Sequence, residues 1–523
     1  MDRKSSVVPD GIVYIRGKTI AAVQPAGAPP LLGFERVDIY DTHGTLYPGL
    51  IELHNHLSYN ALPLWSVPRK YTNRSQWQAT RQYHRLVTGP MSVLGRLPEY
   101  VNAIVRFVQC RCLLGGVTTS QGVALFSNAG IIRHYGGLVR NVEAPGDLGV
   151  KAALAHITDV DSKDADKFLA QLNGASCLLL HLSEGIDRAA HDHFEALHLK
   201  NGRWAIASSL VGIHSVALKQ QDFTVMQQHG ASMVWSPLSN LLLYGQTADI
   251  AAAKASAIRI GIGSDWAPSG SKNLLGELKI AKVVSTAKGN VFSDEEIVAM
   301  ATRDAARILK WDTVIGSIES GKRADLIVIK NRQYDPYTQL IRSRETDLSL
   351  VLVDGVPCYG TAQSMSGFDS HTEDWKVGGE KCKIRLVEDN ADPAVGALTL
   401  RRAYSKLADG LDRLPELAKQ LEHPSPRLAA TLLQPSSANW SLVLDQGDPI
   451  GMASRPHLPF NAKFTAMPAS RPVNLWTKPL SQELVSQTLE PLTAVDDANF
   501  LGKLQMAKNL PSYVKAELPK LYS

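Results

Sequence analysis

The chain has 523 residues, 44% hydrophobic and 20% charged, a balance that excludes disorder, collagen and coiled coil for most of its length. Fifty-five Lys and Arg against 50 Asp and Glu leave a formal charge of +5, too thinly spread to favour nucleic acid or an anionic membrane as partner. No run nears the ~18 apolar residues of a membrane span. At roughly 150 residues per domain, the length allows three or four domains, or one large barrel with attachments.

The N-terminal MDRKSSVVPDG has no apolar stretch of the kind a secretory signal needs, so a cytoplasmic protein is expected. Residues 11–48 (GIVYIRGKTIAAV, then VDIYDTHGTLYPG) read as short strands and turns. From residue 49, apolar β-rich runs alternate with helical ones. They are GLIELHNH, a helix around 98–114, GVTTSQGVA, GGLVRNVEA, a helix around 164–173 and ASCLLLHLSE. A helix around 187–199, WAIASSLVGIHS, a helix around 219–229, ASMVWSPLS and IRIGIGSDW follow. This alternation predicts an α/β chain with a (β/α)8 TIM-like barrel over 49–312. Its strand cores are nearly all apolar, as parallel strands covered on both faces are. The five cysteines (Cys110, Cys112, Cys177, Cys358, Cys382) are few, odd in number and scattered, which suits a reducing compartment. Cys110 and Cys112 fall two apart in a helix, so they point to different sides.

After the barrel, Ser293 and Glu296 have capping-box spacing at the start of a helix. GSIESGKRADLIVIK and DLSLVLVDGVPCYG return to short strands, so residues 1–48 and 313–365 are expected to pair into one small flanking β domain. Residues 366–523 read as an appended C-terminal module with Pro-rich spacers and one helix in GALTLRRAYSKLADGLDRLPELAKQL. Its basic segments, RRAYSK and KNLPSYVKAELPKLYS, carry or adjoin acidic residues and make no stripe for nucleic acid.

The chemistry-bearing residues fall at strand tips. His54 and His56 end the first strand, and residues two apart in a strand face the same way. Both imidazoles therefore point into the C-terminal mouth of the barrel, where such folds keep their active sites, and can bind zinc or a similar divalent metal. His181 ends SCLLLH with Glu184 three residues on, His214 ends LVGIH, and Asp265 ends IRIGIGSD. Carboxylates in particular are seldom buried unless paired or on a metal. His84, His134, His156, His191, His193, His198 and His229 lack such placement and are read as surface or core histidines. Tyr59, Trp65, Tyr71, Trp77 and Tyr83 crowd the segment after His56. They either stack a planar substrate or pack the loop onto the barrel. The expected substrate contacts are Trp65, Tyr71 and Trp77, Ser239 and Asn240 at the end of the seventh strand, and Trp266 beside Asp265.

Together, PGLIELHNH, HLSE, GIHSVAL, SPLSN, GSDWAPSG and GSIESGKRADLIVI resemble the amidohydrolase superfamily over roughly residues 11–362. They are most similar to its branch of cytosine, guanine and adenosylhomocysteine-type deaminases and triazine chlorohydrolases. The resemblance implies that His54, His56, His181 and Asp265 hold one divalent metal, with zinc first and iron or manganese as alternatives. It also implies Glu184 as proton shuttle and His214 as a residue at the metal water or the substrate. Two-metal members use a carboxylated lysine on the fourth strand. The only candidate, Lys151, falls at the wrong end of that strand, so a single metal is expected. The residues after His56 depart from the loop that nucleoside-type deaminases carry. Relatives usually also have one more strand ahead of DGIVYIRGK, so a shortened or trimmed start is expected. Homo-oligomers are common in the family.

The implied activity is hydrolysis of a carbon–nitrogen bond in a small molecule. Deamination of an amino-substituted heterocycle leads, hydrolysis of an amide, cyclic amide or urea-type bond is the alternative, and a non-enzymatic scaffold is the alternative of another class.

Overall fold

A computed structural model describes residues 1–127, 132–331, 334–368, 371–388, 393–433, 440–444 and 479–523. The chain is α/β, and eight parallel strands in two sheets position the candidate site. One sheet runs β1 (Leu50–Glu52), β2 (Val117–Ser120), β3 (Arg140–Asn141). The other runs β4 (Leu154–His156), β5 (Leu178–Leu182), β6 (Leu210–His214), β7 (Ser232–Trp235), β8 (Arg259–Ile262). Backbone hydrogen bonds join the sheets at both seams. Ala153 N donates to Val142 O at one, and at the other Asp265 N donates to His54 O and His56 N to Asp265 O. Strands β5 (LLLHL) and β6 (LVGIH) are buried at every residue, as parallel strands covered on both faces must be.

Helices separate these strands in chain order: Ala165–Gly174 before β5, Arg188–Glu195 before β6, Gln220–Gln228 before β7 and Ile250–Ala255 before β8. Helix Pro98–Leu114 leads into β2. Proline at its first position needs no hydrogen-bonded N–H, so it starts the helix without cost. The helix is buried almost all round. Its Arg111 donates from Nε to Lys272 O and from Nη1 to Asn60 O, both at 2.8 Å, which partly offsets the cost of burying its charge. The five cysteines are free and buried. Burial pushes the Cys110 thiol up to about 12, so it packs as a small apolar group. No helix among the described residues is long and apolar enough to cross a membrane.

A third sheet draws on both sides of this frame. In spatial order it holds Thr372–Val377, Glu380–Arg385, Val356–Thr361, Leu348–Val353, Leu326–Lys330 and Gly44–Pro48, every pair antiparallel. The sheet continues past residue 365, where the sequence placed the edge of the β domain. The reason is the turn Gly378-Gly379, with φ of +57° and +84°, which folds 372–385 into a hairpin that extends the sheet. Ser293 and Glu296 form the expected capping box: Glu296 N donates to Ser293 Oγ and Ser293 N to Glu296 Oε2. The single helix expected after residue 396 is two, Leu400–Asp412 and Leu414–Glu422. Pro415 supplies no N–H and so begins a new helix.

Residues 479–523 pack against the active-site side of the frame. Glu490 accepts from Leu64 N at 3.1 Å, from Lys272 Nζ at 2.5 Å and from Lys503 Nζ at 2.5 Å. Asn509 Nδ2 donates to Arg69 O at 3.0 Å and to Leu242 O at 2.8 Å. Burial alone would push the Glu490 carboxyl up, but the Lys272 and Lys503 ammonium groups outweigh it and hold it at about 2. That folded value lies below the ~4.3 of a free glutamate. The stabilisation is therefore complete above about pH 4.5 and is lost as pH falls toward 2. Replacing Glu490 by Gln is expected to flatten the acid limb of the unfolding free energy between pH 5 and 2 by about 2–3 kcal/mol, measured by denaturant titration at each pH.

Candidate active site

The polar residues of the strand tips meet above the C-terminal ends of the parallel strands. Nε2 of His54, His56 and His181 lie 3.2–3.3 Å from one another. Asp265 Oδ1 is 3.5 Å from Nε2 of both His54 and His56. Nitrogens about 2.0–2.1 Å from a tetrahedral ion sit about 3.3–3.4 Å apart, so the three imidazoles have the spacing of a ligand set. His54 Nδ1 faces Ser236 Oγ at 2.8 Å. Donation from Nδ1–H to that oxygen leaves the Nε2 lone pair for a metal. Burial, and then the neighbouring imidazoles, lower the His54 pKa well below its ordinary value, so the ring is neutral as a ligand requires.

Local backbone geometry sets this convergence. His214 and Asp265 have φ of +66° and +67°, the left-handed region that non-glycine residues seldom enter. The bend turns each side chain off its strand and into the site, and such strain collects at functional positions. Gly263 lets the β8 tip pass beside His54: a Cβ there would lie 2.5 Å from the His54 Cβ and 2.7 Å from its backbone N. Glu52, buried one turn of pleat below, accepts from Ser264 N at 2.8 Å and Ser264 Oγ at 2.9 Å and pins the same tip. Burial pushes the Glu52 carboxyl up to about 8 and also raises that of Asp265.

Glu184 and His214 stand together on the other side, Oε2 to Nε2 at 3.6 Å. Asn240 Nδ2 donates to His214 Nδ1 at 3.0 Å. That nitrogen therefore accepts, and the proton of the neutral ring sits on Nε2, facing the site as a donor. Tyr244 Oη donates to Glu184 Oε1 at 2.7 Å and receives Trp77 Nε1–H at 2.8 Å. Arg74 Nη1 lies 3.8 Å from Glu184 Oε2 and donates to Ile157 O at 2.8 Å.

The pocket is lined by His56, His181, Glu184, His214 and Asp265 on its floor and by Arg74, Trp77, Gln78, Tyr83, Ile157 and Trp266 on its walls. Its cavity volume is about 20 Å³, room for about one water.

Of the expected substrate contacts, Trp77 and Trp266 line the pocket, their rings 5.8 Å apart. Trp65 and Tyr71 do not. They are buried behind it against each other and Tyr83, packing the loop as the second reading of those aromatics had it. Ser239 and Asn240 do not end a strand; they lie inside helix Pro237–Tyr244, because Pro237 begins a helix there. Both are fully buried, Asn240 behind His214 and Ser239 bonded to Ser269 Oγ at 3.0 Å. Lys151 is exposed, ahead of the first residue of β4. Arg74 and Tyr244 were missed. Tyr244 carried a signal, since it lies four residues after Asn240 on one helix face. Arg74 carried none.

Residues 141–358 match the family model described as the amidohydrolase family. A 5-methylthioadenosine/S-adenosylhomocysteine deaminase of Symbiobacterium thermophilum is 24% identical over 371 residues, 63% of this chain and 82% of that relative. An S-triazine hydrolase of Gordonia rubripertincta is 29% identical over 157 residues, which are 29% of this chain and 33% of that relative's length. Among solved structures, an atrazine chlorohydrolase of Arthrobacter aurescens complexed with zinc superposes with a TM-score of 0.56 at 18% identity. The superposition covers 78% of this chain and 97% of that one. An adenosine deaminase of Xanthomonas campestris with bound zinc gives a TM-score of 0.53 at 17% identity, over 78% and 96% of the two chains.

Proposed function

We propose that this chain, which fits the deaminase branch of the amidohydrolase superfamily, is a metal-dependent hydrolase that breaks a carbon–nitrogen bond, first of all by deaminating an amino-substituted heterocycle. The observation that carries this reading is the 3.2–3.3 Å convergence of three imidazole nitrogens with Glu184 and His214 at their side. We read the eight parallel strands as a closed (β/α)8 barrel with the site at its C-terminal mouth. His54, His56, His181 and Asp265 would hold one divalent ion, zinc before iron or manganese.

Such an ion supplies hydroxide at neutral pH by lowering the pKa of a water toward about 7. Asp265, at the edge of the imidazole cluster, takes up a proton on its carboxylate. Glu184 delivers one to the departing nitrogen, which must be protonated to leave. His214 donates from Nε2–H to the atom on which negative charge develops. Tyr244 fixes one oxygen of Glu184 and leaves the other for the reaction. Trp77 and Trp266 offer faces on which a planar ring can stack. A heterocycle is larger than the cavity of about 20 Å³, so its entry requires the pocket to widen. Hydrolysis of a cyclic amide uses the same residues and differs only in the bond broken.

The test is the zinc-loaded protein incubated with a broad metabolite extract, followed by untargeted mass spectrometry against an Asp265→Asn control. Amino-to-oxo exchange supports deamination. A product heavier by one whole water overturns it in favour of ring or amide opening. Replacing Glu184 by Gln is expected to slow turnover about 10²- to 10⁴-fold while the metal content, read by plasma mass spectrometry, stays that of the parent. Loss of the metal as well would show Glu184 to be part of the ligand set instead.

A further inference from the structure

A cavity of about 380 Å³ opens on the antiparallel sheet, between strand Thr372–Val377, helix Leu400–Asp412 and the segment around Pro491. Its volume falls in the range of small-molecule sites, about 300–1,000 Å³. Two aromatic rings form its walls, Trp375 and Tyr404, with centroids 6.1 Å apart and planes at 53°. Two cations flank them. Arg401 Cζ lies 5.8 Å from the Trp375 ring centre, and Lys376 follows Trp375 in the strand.

The polar groups of this cavity that are not already committed are donors. Among the described residues, the Arg401 guanidinium donates to a backbone oxygen, Asp374 O, at 3.3 Å, and pairs with no carboxylate. Lys376 has no carboxylate partner among the described residues. The Tyr404 hydroxyl and the Trp375 indole N–H likewise make no hydrogen bond among them. The acids nearby have partners: Glu373 accepts from Leu400 N and Arg401 N, and Asp496, which lines the cavity, keeps its charge because its donors are neutral. Asp496 Oδ1 accepts from Gly378 N at 2.8 Å and its Oδ2 from Thr493 Oγ1 at 2.6 Å, while Asp374 pairs with Lys383 at 3.3 Å. Aromatic faces favour a flat ring, and uncommitted cations and N–H or O–H donors favour an anion.

We propose that this cavity is a second ligand site, which takes a small planar aromatic molecule bearing a phosphate or carboxylate. The ring lies along Trp375 and Tyr404, and the anionic group meets Arg401, with Lys376, the next residue of the strand and so on its other face, at the outer rim. The site is independent of the active-site reading, since none of its residues touches that pocket.

The test uses the full chain and 1-naphthyl phosphate as probe, titrated by calorimetry, with 1-naphthol and inorganic phosphate as separate arms. One saturable site per chain is expected for the probe, with each half-ligand binding at least about tenfold more weakly. The paired replacement Lys376→Ala and Arg401→Ala is expected to weaken the probe at least about tenfold. Ser405→Glu sets a carboxylate at the exposed rim without removing any contact, and is expected to do the same. Both variants are first checked for the parent's circular dichroism and melting temperature. If the pair alters the fold, Ser405→Glu decides alone. Absence of saturable binding, or binding that both variants leave unchanged, overturns the proposal. Equal affinity for inorganic phosphate overturns the aromatic half of it.

Discussion

Replacing Asp265 by Asn is expected to lower turnover roughly 10³-fold. The change keeps the volume of the side chain and removes its charge and its capacity to take up a proton. The backbone that places it is independent of the side chain: Asp265 N donates to His54 O, His56 N donates to Asp265 O, and the φ of +67° is one that Asn also tolerates. The variant should therefore fold with the parent's melting temperature. His54, His56 and His181 retain their mutual spacing, so the metal content should fall far less than the rate. Steady-state kinetics on whichever substrate the metabolite screen yields, with plasma mass spectrometry on the same samples, reads both quantities. A rate within tenfold of the parent would remove Asp265 from the chemistry.

The second large effect is on stability. Arg140, in β3, donates through its two terminal nitrogens to Asp325 Oδ2 and Asp354 Oδ1. The side chains of Arg140 and Asp325 are only 8% and 4% exposed. Asp325 also accepts the backbone N of Asp354 at 2.8 Å, so the cluster ties the parallel strands to the antiparallel sheet. Burial pushes the Asp325 carboxyl up, and the Arg140 guanidinium works against that rise. Arg140→Ala leaves a buried carboxylate without its main partner, which costs about 3–5 kcal/mol. The loss is read from denaturant midpoints, and Arg140→Met combined with Asp325→Asn should recover much of it because no unpaired charge remains. Equal destabilisation by the single and the double variant would show that packing, and not the stranded charge, is responsible.

The strand-tip histidines and acids were legible in the sequence for a simple reason. An apolar run that ends on His181, His214 or, three residues past β8, on Asp265 has no use for those side chains in a packed interior, so each announces a polar site at the tip. The hairpin at 372–385 was legible too and was passed over. Gly378-Gly379 between alternating residues is a turn signal, but the assumed boundary at 365 hid it. Other features could not be read. Nothing in the spacing of Trp65, Tyr71 and Trp77 tells which aromatic faces a pocket and which packs beneath it, since all three are buried. Pro237 served equally as the end of a strand or the start of a helix, and only the fold chose the second. Arg74 meets Asp159 and Glu184 through contacts far apart in sequence, which no local pattern encodes.

The clasp that Glu490 makes on Leu64 N spans 426 residues. At the ribosome's roughly 5–20 residues per second, the aromatic segment behind the pocket is made about 20–80 s before the carboxylate that anchors it. Throughout that interval Trp65, Tyr71, Trp77 and Tyr83 lack their C-terminal cover, and for its first half they also lack some of the parallel strands, which end at Ile262. The nascent chain thus carries a sticky aromatic surface until its parallel strands are made, and the pocket is among the last parts of the molecule to mature. Chaperone supply and translation speed, as much as the folded contacts, would set the yield of active protein.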